Sequence, residues 1–319
     1  MPDRQARPRF KDLTWLVALG AALWGTDAFF RRGVLGQAAP ATVVFAEHLV
    51  LVILMLPVLP RAIAAFSRSP VRIRWAIVAI GAGASAVATA LFTFAFKISS
   101  SHGDFTTPVV VQHLQPLIAI SLAVVVLKER LRGRFALFVI PCLIGVWLLA
   151  FPHPLALTLS GFAVVLLALG AAALWAAGTV FGRLVTSYVG ATELTALRFL
   201  FGLPAAALIV LCTGDPFWVP GLSASFSLLG LVLVPSLLAL TLYYSGLRRT
   251  PASRATLAEL AFPLTGAVLG TWLGSPLTVS QWVGVAVVAG SVTALSWHEA
   301  RSRDTAVTSF EPALGPATV

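Results

Sequence analysis

The stretch Trp24-Gly25-Thr26-Asp27-Ala28-Phe29-Phe30-Arg31-Arg32 lies at the end of the first long apolar run of the chain. It returns 151 positions later as Trp175-Ala176-Ala177-Gly178-Thr179-Val180-Phe181-Gly182-Arg183, so that Trp24, Phe30 and Arg32 meet Trp175, Phe181 and Arg183. At the same offset Thr42 and Glu47 align with Glu193 and Arg198. The offset then drifts slightly. Pro116-Leu117 meets Pro263-Leu264 at 147, and Leu131 meets Leu277 at 146. One such match is weak, but a nearly constant offset through five successive apolar runs marks an internal duplication.

The runs themselves have membrane-crossing length, which is about 20 residues for a helix. They lie near 13–33, 40–59, 74–97, 104–127, 134–151, 160–184, 191–211, 222–247, 254–274 and 280–298. Basic residues occupy every second gap. The N-terminus, gaps 60–74, 128–134, 183–192 and 248–254, and the C-terminus hold 18 of the 22 Lys and Arg. Basic loops stay in the cytoplasm, so both termini are expected there, in a multi-pass protein of the cell inner membrane. Five crossings per copy is an odd number, so the second copy enters from the opposite side. The expected fold is an all-α polytopic membrane protein of ten transmembrane helices, built as two inverted five-helix repeats. The segments are a cytoplasmic 1–12, a first repeat 13–151, a second repeat 160–298 and a disordered cytoplasmic tail 299–319.

Composition agrees. Charged residues are 11% of the chain, against roughly 25% in soluble domains, and the mean hydropathy is +0.93. Ten spans leave no room for a soluble catalytic domain. The net charge of +10 is held in loops where membrane topology requires it, so it points to anionic lipid headgroups and away from nucleic acid. Cys142 and Cys212 fall inside apolar runs, without metal or disulfide spacing. The basic N-terminus followed by an apolar run is too long for a signal core and reads as an uncleaved first helix.

Ionisable side chains within hydrocarbon cost several kcal/mol unless paired or wetted, so each is a functional candidate. They are Asp27, Glu47, His48, His113, Arg198 and Glu259. The richest run is Gln112-His113-Leu114-Gln115-Pro116, where proline kinks the helix and frees carbonyls of the preceding turn. Gln112 and His113 are expected to face substrate. Glu259 precedes Pro263 by four, as Gln112 precedes Pro116. It reads either as a gating or coupling carboxylate or as a partner of Arg249 or Arg254. Glu47 and Arg198 hold equivalent positions at opposite depths and should not pair directly. Asp27 has Arg31 at i+4, a local pair that competes with a coupling role. Trp24 and Trp175 are in mid-span, although tryptophan favours interfaces, and with Tyr243 and Tyr244 they are candidates to stack a planar or cationic solute.

These features resemble the EamA-type carriers of the drug/metabolite transporter superfamily, over about 13–297. The likeness rests on the early tryptophan of each half, on Pro116 and Pro263, and on Leu-Lys-Glu-Arg-Leu at 127–131. Its second-half counterpart is Leu-Gly-Ser-Pro-Leu at 273–277, where Ser275 stands in place of the usual glutamate. The resemblance implies export of small metabolites, often amino acids, through a central cavity, and the chain is most similar to the aromatic amino acid exporters. No phosphate-binding loop, zinc motif or nucleophile elbow is present. The expectation is a carrier with no cofactor, metal or ATPase subunit, and no enzymatic activity. The competing readings are a proton-coupled exporter of cationic or aromatic drugs and, from another class, a lipid-modifying enzyme. Reporter tags on both ends should read as cytoplasmic. Labelling should count five crossings before residue 155; any other count removes the inverted repeat.

Overall fold

In the computed structural model the described residues are 13–35, 37–101, 111–112, 114–129, 136–150, 161–272, 278–291 and 294. Among them every regular element is a helix. In chain order these are α1 Thr14–Trp24, α2 Asp27–Leu35, α3 Pro40–Leu54, α4 Leu59–Arg68, α5 Val71–Val78 and α6 Ala88–Ser101. Then come α7 Gln115–Leu127, α8 Ala136–Ala150, α9 Phe162–Val185, α10 Ala191–Thr213, α11 Leu222–Leu231, α12 Ala239–Leu247, α13 Ala252–Ala258 and α14 Ala261–Trp272. The last, α15, is Val279–Ser291. A π segment, Ala79–Val87, joins α5 to α6, and a second, Val232–Leu238, joins α11 to α12.

Among the described residues, four continuous helical stretches are long and apolar enough to cross a membrane: Val71–Ala95, Phe162–Val185, Ala191–Thr213 and Leu222–Leu247. A fifth candidate is the pair α3 and α4, bent by 96°. Other apolar runs are interrupted. The first breaks at Gly25-Thr26, where the Thr26 hydroxyl turns back to Leu23 O at 2.7 Å. The ninth breaks at Glu259-Leu260, just ahead of Pro263. In the fourth, α7 starts at Gln115 with Pro116 in its first turn, where a missing N–H does no harm.

At most of the described helix N-termini the N-cap residue's own side chain makes no capping hydrogen bond, and local backbone chemistry sets the boundary. Pro40 and Pro60 open α3 and α4 with φ already fixed. Gly214, at φ +69°, closes α10. Lys128 closes α7 at φ 53° although it is not glycine, a conformation costing about 1–2 kcal/mol. That turn lets Glu129 N–H return to Ala123 O at 3.2 Å. It also brings the Glu129 carboxylate to the start of α13, where it accepts from Ala252 N–H at 2.8 Å and from Ser253 N–H and Oγ at 3.2 and 2.8 Å.

The interior runs through Val17, Leu51, Ile77, Leu197, Phe199, Leu231, Tyr244 and Leu247, all with little or no exposure. Large apolar side chains also cover the outside: Trp75 is 69% exposed and Trp272 89%. An apolar exterior of that extent suits lipid, not water. α1 lies along α12, α9 along α6, α10 along α3 and the first π segment, and α7 against α13.

Close approach depends on small residues. A Cβ on Gly81 would meet Arg198 O and Phe201 Cβ, each at 2.7 Å, so the first π segment touches α10 backbone to backbone. A Cβ on Gly202 would strike the His48 ring at 2.6 Å. Gly81→Leu should therefore force these helices apart and cost about 1–3 kcal/mol, as overpacking does. A lower midpoint of thermal unfolding in detergent would register it.

Candidate functional site

Trp24 ends α1 at the break, and its ring meets Tyr243 of α12 with centroids 4.8 Å apart and planes tilted by 46°. The Tyr243 hydroxyl donates to Glu259 Oε1 at 2.7 Å. Thr179 of α9 donates to the same oxygen at 2.9 Å, and Gln115 Nε2 of α7 reaches Oε2 at 3.2 Å. Glu259 sits at the interruption between α13 and α14, 9% exposed. Helices α1, α7, α9, α12 and the α13–α14 break thus converge on one carboxyl group with an aromatic pair beside it. Among the described residues its hydrogen-bond partners are the neutral Tyr243, Thr179 and Gln115. Broken transmembrane helices that expose backbone polar groups beside a buried carboxyl are the usual makings of a transporter binding site.

The equivalent aromatic arrangement recurs at the 151 offset. Trp175 of α9 packs on Phe92 of α6, with centroids 5.4 Å apart, and Phe92 stands 151 positions before Tyr243. The chemistry differs, because phenylalanine offers no hydroxyl. The tyrosine of the first pair is thus tied to an acid, a bond that Phe92 cannot make.

A second polar group surrounds Arg198 of α10. Its Nη1 donates to Tyr244 Oη at 2.9 Å, its Nε to Ser85 Oγ at 3.3 Å and its Nη2 to Ala84 O at 3.2 Å. His48 bonds Ser85 Oγ through Nε2 at 3.0 Å and Val44 O through Nδ1 at 2.7 Å, with its ring edge-on to Phe199. A third group joins Asp27, Arg31, Glu47 and Ser236. Arg31 grips Asp27 in two-pronged fashion at 2.6 Å and reaches Glu47 at 3.3 Å, while the Ser236 hydroxyl donates to Glu47 Oε1.

The expected residues thus fall in separate places. Trp24, Tyr243 and Glu259 come together. Tyr244 turns the other way, to Arg198. Trp175 stands with Phe92, apart from Trp24. Gln112 is half-buried, and the glutamine that reaches Glu259 is Gln115. His113 lies outside the described residues, as do Arg130, Leu131, the 273–277 segment with Ser275, and the terminal segments 1–12 and 299–319. Asp27 pairs with Arg31 at i+4. Glu47 and Arg198 take separate partners, and those partners, Ser236 and Ser85, are themselves 151 positions apart. The sequence reading passed over Thr179, Ser85 and Ser236. A hydroxyl in an apolar helix commonly satisfies itself on its own helix carbonyl, so nothing in their local sequence distinguishes them. The repeat register would have singled out the two serines.

Between α3, α6 and the end of α10 lies a cavity of about 220 Å³, lined by Val44, Thr93, Phe94, Ile209, Thr213 and Asp215 among others.

The profile of the EamA-like transporter family matches the chain twice, over residues 13–151 and 162–297. The chain belongs to this family. Riboflavin transporter ImpX of Fusobacterium nucleatum is 29% identical over 265 residues, covering 79% of this chain and 86% of that protein. The uncharacterized transporter YwfM of Bacillus subtilis is 30% identical over 221 residues, covering 67% of this chain and 71% of that one. One crystal structure superimposes with a TM-score of 0.71 over 90% of this chain and 98% of its own, at 20% identity, a likeness of fold. The protein is a multi-pass membrane transporter of small molecules and not an enzyme.

Tyr243→Phe keeps the ring against Trp24 and deletes one bond to Glu259. It should cost about 1 kcal/mol, the usual net worth of a hydrogen bond, and more if the carboxyl is left short of partners. Thermal unfolding in detergent measures it.

Proposed function

We propose that this chain exports small planar metabolites, aromatic and other neutral amino acids first, by alternating access around a central cavity. The observation that carries the reading is the Trp24–Tyr243 aromatic pair set against the Glu259 carboxyl, with Thr179 and Gln115 completing its shell. The aromatic faces suit a flat ring, and the acid suits an ammonium group. Gln112, His113, Trp175 and Tyr244 complete the proposed substrate-contacting set, with Glu259 as gate and Pro116 and Pro263 at the helix breaks that let the walls move.

Alternating access needs two halves that exchange roles, and we take 13–151 and 160–298 to be inverted five-helix repeats. Three features favour this. The family profile matches once in each half. The packing of α1 on α12 has its counterpart in α9 on α6. The first π segment, moved by 151, falls on the second. With the basic gaps inside, both termini are cytoplasmic and the membrane is the inner one.

A second reading has a specific basis. One relative is named a riboflavin transporter, and a flavin is also a flat, hydrogen-bonding ring system. Purified protein in liposomes, given labelled tryptophan, phenylalanine, threonine, methionine and riboflavin in turn, decides between the two. Saturable flux of the aromatic amino acids is expected. Flux of riboflavin alone replaces the first reading by the second, and flux of neither removes both. Trp24→Ala and Gln112→Ala should each lower flux about tenfold or more, as loss of about 1.4 kcal/mol of binding would, at unchanged membrane expression.

A further inference from the structure

The Asp27–Arg31–Glu47–Ser236 cluster has a charge count and a hydrogen-bond geometry that the substrate site does not use. Arg31 Nε and Nη2 take both oxygens of Asp27 at 2.6 Å. The same Nη2 reaches Glu47 Oε2 only at 3.3 Å. Glu47, 8% exposed, has its other oxygen met by the neutral Ser236 hydroxyl. Among the described side chains, two carboxyl groups thus share one guanidinium, and Glu47 is the more buried of the two acids. Among the described side chains, the charged groups facing Glu47 are Asp27 and Arg31, both from α2. Helix α11 and the second π segment bring Ser236 and no ionisable residue. Helix α10 brings Arg198, but its guanidinium is turned to Ser85, Ala84 and Tyr244. On α3 itself, His48 points to Ser85.

Among the described side chains one carboxylate is therefore in excess, and at the buried Glu47 a bare charge costs several kcal/mol. A proton or a metal cation would neutralise it. A metal ion at Glu47 would sit within reach of the Arg31 guanidinium, which repels it, whereas a proton adds directly to a carboxylate oxygen.

Ser236 supplies the consequence. Its hydroxyl lies within reach of two acceptors, Glu47 Oε1 and Leu231 O, the latter at 3.0 Å on its own helix where the second π segment begins. A hydroxyl has one proton to donate. With Glu47 ionised, Ser236 donates to it. With a proton taken from water onto Glu47 Oε1, the new O–H donates to Ser236 Oγ, and the serine proton turns to Leu231 O. The loaded and unloaded states thus bond the π segment differently. At the equivalent place in the first half, Ser85 meets Arg198 Nε at 3.3 Å and His48 Nε2 at 3.0 Å, and no carboxyl group bonds it among the described residues.

We propose that Glu47, balanced by Asp27 and Arg31, is a proton-binding site, and that Ser236 passes its state to the bend between α11 and α12, coupling proton movement to the carrier cycle. The coupling rests on the carrier reading above; the proton site does not. Infrared difference spectra of the full-length protein in detergent, mildly acidic minus mildly alkaline, test the site without any substrate. A protonated-carboxyl band is expected in the wild type, retained in Glu259→Gln, lost in Glu47→Gln and shifted in Ser236→Ala. A band that survives Glu47→Gln unchanged overturns the site, and so does one that moves when sodium replaces choline in the buffer. Glu47→Asp, which keeps a carboxyl, should keep a band, and its loss in a folded Glu47→Asp protein also overturns the assignment. In liposomes, one pH unit across the membrane should drive about tenfold accumulation of the transported solute per coupled proton, and Glu47→Gln should abolish that response. Solute flux indifferent to the gradient in the wild type overturns the coupling even where the band is present. Absence of any solute flux beside an intact Glu47 band rejects the carrier reading and leaves the proton site supported.

Discussion

Hydrocarbon offers no water to a polar group, so every buried charge must find its partners within the protein. Much of this fold answers that constraint. The Glu259 carboxyl is met from three other helices, Arg198 from the first π segment and α12, and Glu47 from α2 and the second π segment. None of these side chains is satisfied within its own helix alone, so each one fixes a packing arrangement as well as a local geometry. Where apolar helix faces in lipid carry little preference for one neighbour over another, these polar crossings specify which helices meet.

The same constraint explains where the helices break. An interrupted helix leaves carbonyls and N–H groups without their usual partners, a heavy cost in lipid unless protein supplies replacements. The interruptions lie at Gly25-Thr26 and Glu259-Leu260, and the π turns at 79–87 and 232–238, all beside the polar clusters. The irregular backbone and the ionisable side chains therefore stabilise one another.

The two halves share geometry but not chemistry. Trp24 with Tyr243 matches Trp175 with Phe92, yet Tyr243 has a hydroxyl that donates to Glu259 and Phe92 has none. Ser236 matches Ser85, yet one serves a carboxylate and the other a guanidinium. Glu129 belongs to the same divergence: it anchors the start of α13 through three hydrogen bonds, whereas the corresponding position in the other half is Ser275.

The membrane class, the apolar segments and the candidate ionisable residues were legible in the chain itself, because hydropathy and charge placement act locally and are read one segment at a time. The pairing of Asp27 with Arg31 was legible too, since both lie on one helical turn of the same segment. Partners drawn from distant helices were not. That Gln115 and not Gln112 meets Glu259, that Tyr244 leaves Tyr243 for Arg198, and that Thr179, Ser85 and Ser236 hold the buried charges are facts about rotation and crossing of helices. In lipid many rotations bury similar apolar area, so only the assembled tertiary structure, with its polar groups brought face to face, decides among them.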